Sequence, residues 1–184
     1  MNVWGFWLKI FGWKVDITVP YREKAVICVA PHTSNWDFII GLLAYRSVGR
    51  KASFLMKKFW FFFPLKYVLK ALGGIPVNTK SSQSLTTSII EDFKTYTRLN
   101  LAVTPEGSRS AVEKWRTGFL TIAYQAEVII QLGVIDFKNK KVIITKDCVR
   151  NGAAPEIIKN ENKKKIKRSS RTTRTNVIDT PNAG

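Results

Sequence analysis

Ala25-Val26-Ile27-Cys28-Val29-Ala30-Pro31-His32-Thr33-Ser34-Asn35-Trp36-Asp37 is the stretch on which the fold turns. Its first six residues form a short apolar, β-branched run, the pattern of a strand buried on both faces. Pro31 to Asn35 break the run with a polar loop. Trp36–Val48 then reads as a helix, with Asp37 in the first turn, where the helix dipole favours a carboxylate. Strand, loop and helix together are the unit of an α/β domain, and the rest of the chain repeats it. Ala52–Met56 predicts a second strand, Leu65–Leu72 a helix stopped by Gly73-Gly74, and Ile75–Val77 a brief strand. Ser81 or Ser82 caps a helix running to about Arg98. A strand over Leu99–Thr104, a helix over Gly118–Ala126, and strands over Val128–Phe137 and Lys141–Lys146 complete the pattern. The expectation is a single α/β domain with a largely parallel, mixed sheet flanked by helices.

The chain has 184 residues, enough for one domain with a sizeable core, and carries a net charge of +17. Such an excess seeks polyanions: an anionic membrane surface, phosphorylated substrates or nucleic acid. Residues 159–184 hold +6 of that charge, so the body is basic even without its tail. Two cysteines, Cys28 and Cys148, fit neither a disulfide framework nor zinc or redox spacing. No apolar run approaches the roughly 18 residues needed to span a bilayer, and no signal-peptide pattern is present.

Composition divides the chain into three. Residues 1–13 hold Trp4, Trp7 and Trp13 beside Phe6 and Phe11, an amphipathic aromatic segment expected to contact a membrane interface; the plainer alternative is a helix packed on the domain's own core. Residues 14–147 form the folded domain. Residues 148–184 are rich in Asn, Lys, Arg, Ser and Thr without apolar periodicity, and predict a basic, disordered tail.

His32 is the one histidine of the chain. An imidazole titrates at about 6.5, so any imidazole general base in this protein must be His32. Asp37 follows five residues later. Five residues advance a helix by about 500°, so the two would not share a helical face. With His32 on the loop and Asp37 in the first turn, however, the carboxylate can fold back onto one ring nitrogen and leave the other exposed. Such a loop lies beyond the carboxyl end of its strand, where open α/β sheets place their sites. The plainer reading is a capped loop histidine and an aspartate favoured only by the helix dipole. One histidine makes no metal set, and Ser34, Ser108 and Ser110 sit in no nucleophile elbow.

Two further segments end on the same expected rim. Thr104-Pro105-Glu106-Gly107-Ser108-Arg109-Ser110 follows a predicted strand; Gly107 lets the backbone turn, and the hydroxyls with Arg109 make a polar cradle of phosphate or carboxylate size. Lys114 and Arg116 extend that positive patch. Gly73-Gly74-Ile75-Pro76-Val77-Asn78-Thr79-Lys80 offers Lys80 as an anion ligand, although a helix stop also accounts for its glycines.

His32-Thr33-Ser34-Asn35-Trp36-Asp37, then Gly73-Gly74-Ile75-Pro76-Val77-Asn78, then Pro105-Glu106-Gly107-Ser108-Arg109-Ser110 resemble the first three blocks of the glycerolipid acyltransferase family, which includes the 1-acylglycerol-3-phosphate acyltransferases. Trp115-Arg116-Thr117-Gly118-Phe119 resembles the basic segment that follows, and Val128–Phe137 stands where the fourth block belongs. The resemblance implies the family's α/β fold and transfer of a fatty acyl group from acyl-CoA or acyl carrier protein to the hydroxyl of a lysophospholipid. It implies His32 as general base and Asp37 as the group orienting it. Gly74, Asn78, Lys80, Glu106, Gly107, Ser108, Arg109 and Arg116 would bind the acceptor and its phosphate. No cofactor is implied beyond the thioester co-substrate, and no metal.

The partners implied are the lipid substrate, an anionic membrane surface and acyl carrier protein as a candidate donor. The setting is phospholipid biosynthesis at the cytoplasmic face of a membrane, with the protein peripheral to it. Phe59–Leu65 either lines an acyl path, dips into the bilayer or packs in the core. Two departures stand out: Thr79 where the family's second block closes with an arginine, and Gln131-Leu132-Gly133 where the fourth block carries a proline. The first points to alternatives, an amino-acid-containing lysolipid acceptor or acyl-ester hydrolysis. A nucleic-acid-binding protein is the remaining alternative; it rests on charge and the basic tail, and no RNA or DNA module signature is present.

Overall fold

Lys24–Val29, the apolar run of the sequence, is the central strand of a seven-stranded sheet. The computed structural model describes residues 2–29, 35–77, 82–105 and 116–148. In chain order the elements are α1 (Val3–Ile10), β1 (Lys14–Ile17), β2 (Lys24–Val29), α2 (Asn35–Ser47), β3 (Ser53–Lys57), a 3-10 turn (Lys58–Trp60), α3 (Leu65–Ala71), β4 (Gly74–Val77), α4 (Ser82–Thr95), β5 (Leu99–Val103), α5 (Gly118–Gln125), β6 (Ile129–Asp136) and β7 (Lys141–Cys148). The sheet order is β1-β7-β6-β2-β5-β3-β4. Every neighbouring pair is parallel except β6 and β7, which are antiparallel. The fold is therefore the α/β architecture expected, with a largely parallel mixed sheet and helices on both faces.

Ala25, Val26, Ile27 and Cys28 are all at most 2% exposed, because β2 is covered on both sides. Its side chains alternate between two cores, as the pleat requires. Val26 and Cys28 join Leu99, Leu101, Ile130 and Leu132 beneath α4 and α5, which contribute Ile89, Ile90, Phe93, Phe119 and Ile122. On the opposite face Ile27 packs with Val19, Tyr45, Ala52 and Ile144. Beside that cluster, Leu8 of α1 packs with Ile40 and Ala44 of α2 and with Ile135 and Val142. Phe38 of α2 meets Phe54 of β3 edge-on at 4.3 Å between ring centroids. Arg46 near the end of α2 donates to the Ala71 carbonyl at the end of α3 (2.9 Å), so α1, α2 and α3 share one side of the sheet.

The first segment of the chain uses both of its sides. Leu8 is buried at 2%, whereas Val3, Phe6, Trp7, Ile10 and Phe11 stay exposed. Asn2 caps α1 by accepting from the Gly5 amide, and its side-chain amide donates to the Arg46 and Ser47 carbonyls, fixing α1 alongside α2.

Three features depart from the sequence reading. β1 is not predicted, since Lys14-Val15-Asp16-Ile17 is four residues of mixed polarity; it pairs with β7 at the sheet edge, and Asp16 meets Lys141 at 3.0 Å. α4 ends at Thr95, not near Arg98, because residues 96–98 return the chain to β5. β7 runs on to Cys148, past the expected end at Lys146. The basic tail expected over 148–184 lies, beyond Cys148, outside the described residues.

Candidate active site

Parallel pairing sets the ends of four strands side by side. Cys28 is in register with Val103 of β5, Phe54 with Ala102, and Lys57 with Val77 of β4. The carboxyl ends of β2, β5, β3 and β4 thus form one rim, the edge at which open α/β sheets bind their ligands. The three sequence blocks meet that rim differently: the first follows β2 after Val29, the second runs along β4 and reaches the rim at Val77, and the third follows β5 after Val103.

Asp37 lies at this rim, in the first turn of α2, and is 3% exposed. A carboxylate so removed from water needs compensation, and the helix dipole with its amino-terminal N–H groups supplies part of it. Trp36, one residue earlier, is 63% exposed. A buried aspartate beside a solvent-facing tryptophan marks a boundary between the core and the outside. His32 lies outside the described residues.

Gly74 opens β4. A Cβ there would meet the Leu69 carbonyl oxygen at 2.8 Å and the Phe54 ring at 3.2 Å. The preceding Gly73 has φ +94°, and a Cβ there would meet the Ala52 carbonyl oxygen at 2.5 Å. The Gly-Gly pair thus ends α3 in a left-handed conformation and lets β4 pass close beneath it. Packing alone accounts for both glycines. Asn78 and Lys80 of the same block lie outside the described residues.

The third block begins at Pro105, which is buried, and Glu106, Gly107, Ser108 and Arg109 lie outside the described residues. Its two flanks are joined: the Arg116 amide donates to the Pro105 carbonyl at 2.8 Å. The Arg116 side chain is exposed, immediately before α5. Residues 105 and 116 are therefore held together at the end of β5, on the same rim as Asp37.

A second polar group sits at the far end of α2, and sequence reasoning missed it. The Tyr45 hydroxyl lies 3.4 Å from both Asn100 Oδ1 and Gln131 Oε1. Asn100 Nδ2 donates to the Arg22 carbonyl (3.0 Å), and Gln131 Nε2 donates to Asp147 Oδ1 (3.1 Å). Arg22 approaches the other Asp147 oxygen at 3.4 Å. Burial pushes the Tyr45 phenol above its ordinary pKa, against the opposing pull of the Arg50 guanidinium. Gln131 is 0% exposed and Asn100 is 4% exposed. The glutamine that stands where a proline was expected is thus the centre of a polar network under the sheet's amino-terminal edge. A glutamine inside an apolar run was the available signal.

An open groove of about 770 Å³ runs along β4 on the α4 side, lined by Ser84, Ser88, Asp92 and Tyr96 among others. Asp37 does not line it. Among the described residues, no helix is long and apolar enough to cross a membrane.

The rim therefore holds a buried carboxylate, Asp37, in the helix that follows β2, and the described ends of β2, β5, β3 and β4 lie side by side there. No curated protein and no solved structure matches the chain. A family model described as Acyltransferase does, over residues 14–135, from the first residue of β1 almost to the end of β6. More than half of the chain lies within that match, so this protein belongs to the acyltransferase family.

Proposed function

We propose that the protein transfers a fatty acyl group from an acyl-CoA or acyl carrier protein thioester to the hydroxyl of a lysophospholipid such as 1-acylglycerol-3-phosphate. The observation that carries the proposal is Asp37: a carboxylate 3% exposed at the amino end of α2, on the sheet's carboxyl rim, five residues after His32.

His32 takes the proton of the acceptor hydroxyl. The alkoxide attacks the thioester carbonyl directly, forming a tetrahedral intermediate that collapses with loss of the thiolate. The imidazolium returns its proton to the departing sulfur, leaving an ester and a thiol with no acyl-enzyme. Asp37 holds the imidazole in one tautomer and balances its charge while protonated. Gly74, Asn78, Lys80, Glu106, Gly107, Ser108, Arg109 and Arg116 bind the glycerol and phosphate of the acceptor. Arg109 and Arg116 suit a phosphate by charge and fork geometry. The protein works at the cytoplasmic face of a membrane, bound peripherally, as a net charge of +17 supports. Thr79 in place of the second-block arginine favours a second reading, an acceptor whose headgroup carries an amino acid.

The test is to incubate the protein with acyl-CoA or acyl carrier protein thioesters and a panel of lysolipids, and to read products by mass spectrometry. His32→Ala is expected to cut transfer by about 10²–10⁴-fold while the fold survives. Full transfer by that variant overturns the mechanism, and thioester-dependent transfer to no lysolipid overturns the acceptor class.

A further inference from the structure

The residues after β3 make a patch that neither the core nor the candidate active site uses. Phe59 is 80% exposed and Phe63 76%, and Trp60, Phe62, Tyr67 and Val68 are about half exposed. Six large apolar side chains in ten residues are far from the scattered single exposures normal for a protein surface. Their presence outside excludes the core-packing alternative for Phe59 and Phe63.

The patch is also basic. Residues 51–80 hold six lysines and no acidic residue. Lys57 and Lys58 directly precede the aromatics and are exposed, Lys66 lies 5.0 Å from the Tyr67 ring centroid, and Lys70 is exposed at the end of α3. Aromatic side chains flanked by lysines match a headgroup boundary, where rings seek the interface and cations seek anionic lipid.

Its position is specific. The 3-10 turn Lys58–Trp60 leaves the carboxyl end of β3, the rim that bears Asp37. Phe38, next to Asp37, packs on Phe54 of the same strand. Trp36, next to Asp37 in the chain, is exposed as well.

We propose that Phe59–Val68 is a wedge that docks an anionic lipid bilayer and turns the sheet's carboxyl rim, with Asp37, toward the membrane. The wedge delivers a lipid acceptor to the site; in that respect it rests on the proposed lipid substrate, although the docking itself is read without catalysis. The exposed face of α1 is a separate apolar patch that the proposal does not need.

The experiment sediments the full chain with vesicles of phosphatidylglycerol and phosphatidylethanolamine, and with vesicles of phosphatidylcholine alone. Phe59→Ser combined with Phe63→Ser is expected to weaken partitioning onto the anionic vesicles about tenfold or more, with unchanged thermal unfolding. Lys57→Gln with Lys58→Gln is expected to weaken it severalfold and to remove its salt dependence in part, a second route that leaves the aromatics intact. Both variants should keep wild-type transfer to a short-chain lysolipid dispersed below its micelle threshold.

Wild-type vesicle binding by the Phe59/Phe63 variant overturns the wedge, the more so if Phe6→Ser with Phe11→Ser abolishes binding instead. A lipid-free dimer dissolved by the Phe59/Phe63 substitutions, with no vesicle binding by the wild type, assigns the patch to a second copy of the chain and overturns it too. Loss of transfer to the dispersed acceptor with vesicle binding intact assigns the patch to the acyl path and does the same. If the wild type binds vesicles through the wedge yet acylates no lysolipid, the docking stands and the proposed reaction falls.

Discussion

The two ends of α2 bury polar groups of different kinds. At the amino end Asp37 is 3% exposed, on the rim where three loops leave the sheet. At the carboxyl end Tyr45 is 2% exposed and meets Asn100 and Gln131, residues of the sheet itself. The far network is tied to the fold throughout: Arg22, Pro20 and Glu23 carbonyls, Asp147 and strand side chains complete it. Its role is to join β5, β6 and β7 to the segment leading into β2. The rim end buries a carboxylate in the first turn of α2, just after the chain leaves β2 at Val29. The two ends of one helix therefore differ: Tyr45 is tied into the sheet by a polar network, whereas Asp37 lies at the rim to which we assign the proposed chemistry.

That division predicts opposite responses. Asp37→Asn keeps shape and removes charge, so it should lower turnover by about 10²–10⁴-fold with the protein still folded; steady-state rates beside thermal unfolding give the answer. Turnover within a few-fold of wild type would remove Asp37 from the catalytic machinery. Gly74→Ala forces a Cβ against the Leu69 carbonyl and should cost about 1–3 kcal/mol of stability, measured by denaturant titration. A neutral outcome would mean that α3 yields, and that its contact with β4 is looser than a 2.8 Å approach implies.

Tyr45→Phe should cost about 1 kcal/mol by the same titration and leave turnover untouched. A change in turnover larger than the change in stability would show that the two ends of α2 communicate. The smallest effect concerns pH. Burial raises the Tyr45 pKa above its ordinary 10.0, so the folded protein favours the neutral phenol. An unfolded chain ionises at about 10, so this contribution is fully present below that pH and is lost as pH rises toward the higher folded value. Tyr45→Phe should therefore flatten part of the alkaline fall in stability, and an unchanged alkaline limb would locate that fall elsewhere.

Much of the sheet is legible in the chain because buried parallel strands need apolar residues on both faces. Ala25–Cys28 is such a run and lies in β2; Leu99–Leu101 in β5 departs from it at Asn100, whose side chain the polar network takes up. β1 is not legible, since an edge strand needs only a partner and Lys14–Ile17 looks like any mixed tetrapeptide. Of the candidate site, Asp37 was legible from its helical first turn, but its burial was not. Gly74 was legible as a glycine of the second block, whereas the crowding of Leu69 and Phe54 that demands it arises only when α3 lies over β4. The Tyr45–Asn100–Gln131 network joins residues up to 86 positions apart, and no local pattern announces it.

The sequence by itself determined the alternation of strands and helices, the strong positive charge, and the order of the three blocks. These follow from local periodicity, composition and spacing. Only the tertiary structure decided that the strand ends carrying the blocks share one rim, that Asp37 is buried there, that Gln131 is a buried tie, and that Phe59 and Phe63 face outward. Each of those depends on which elements pack together, and packing is a property of distant segments meeting that no single stretch of chain contains.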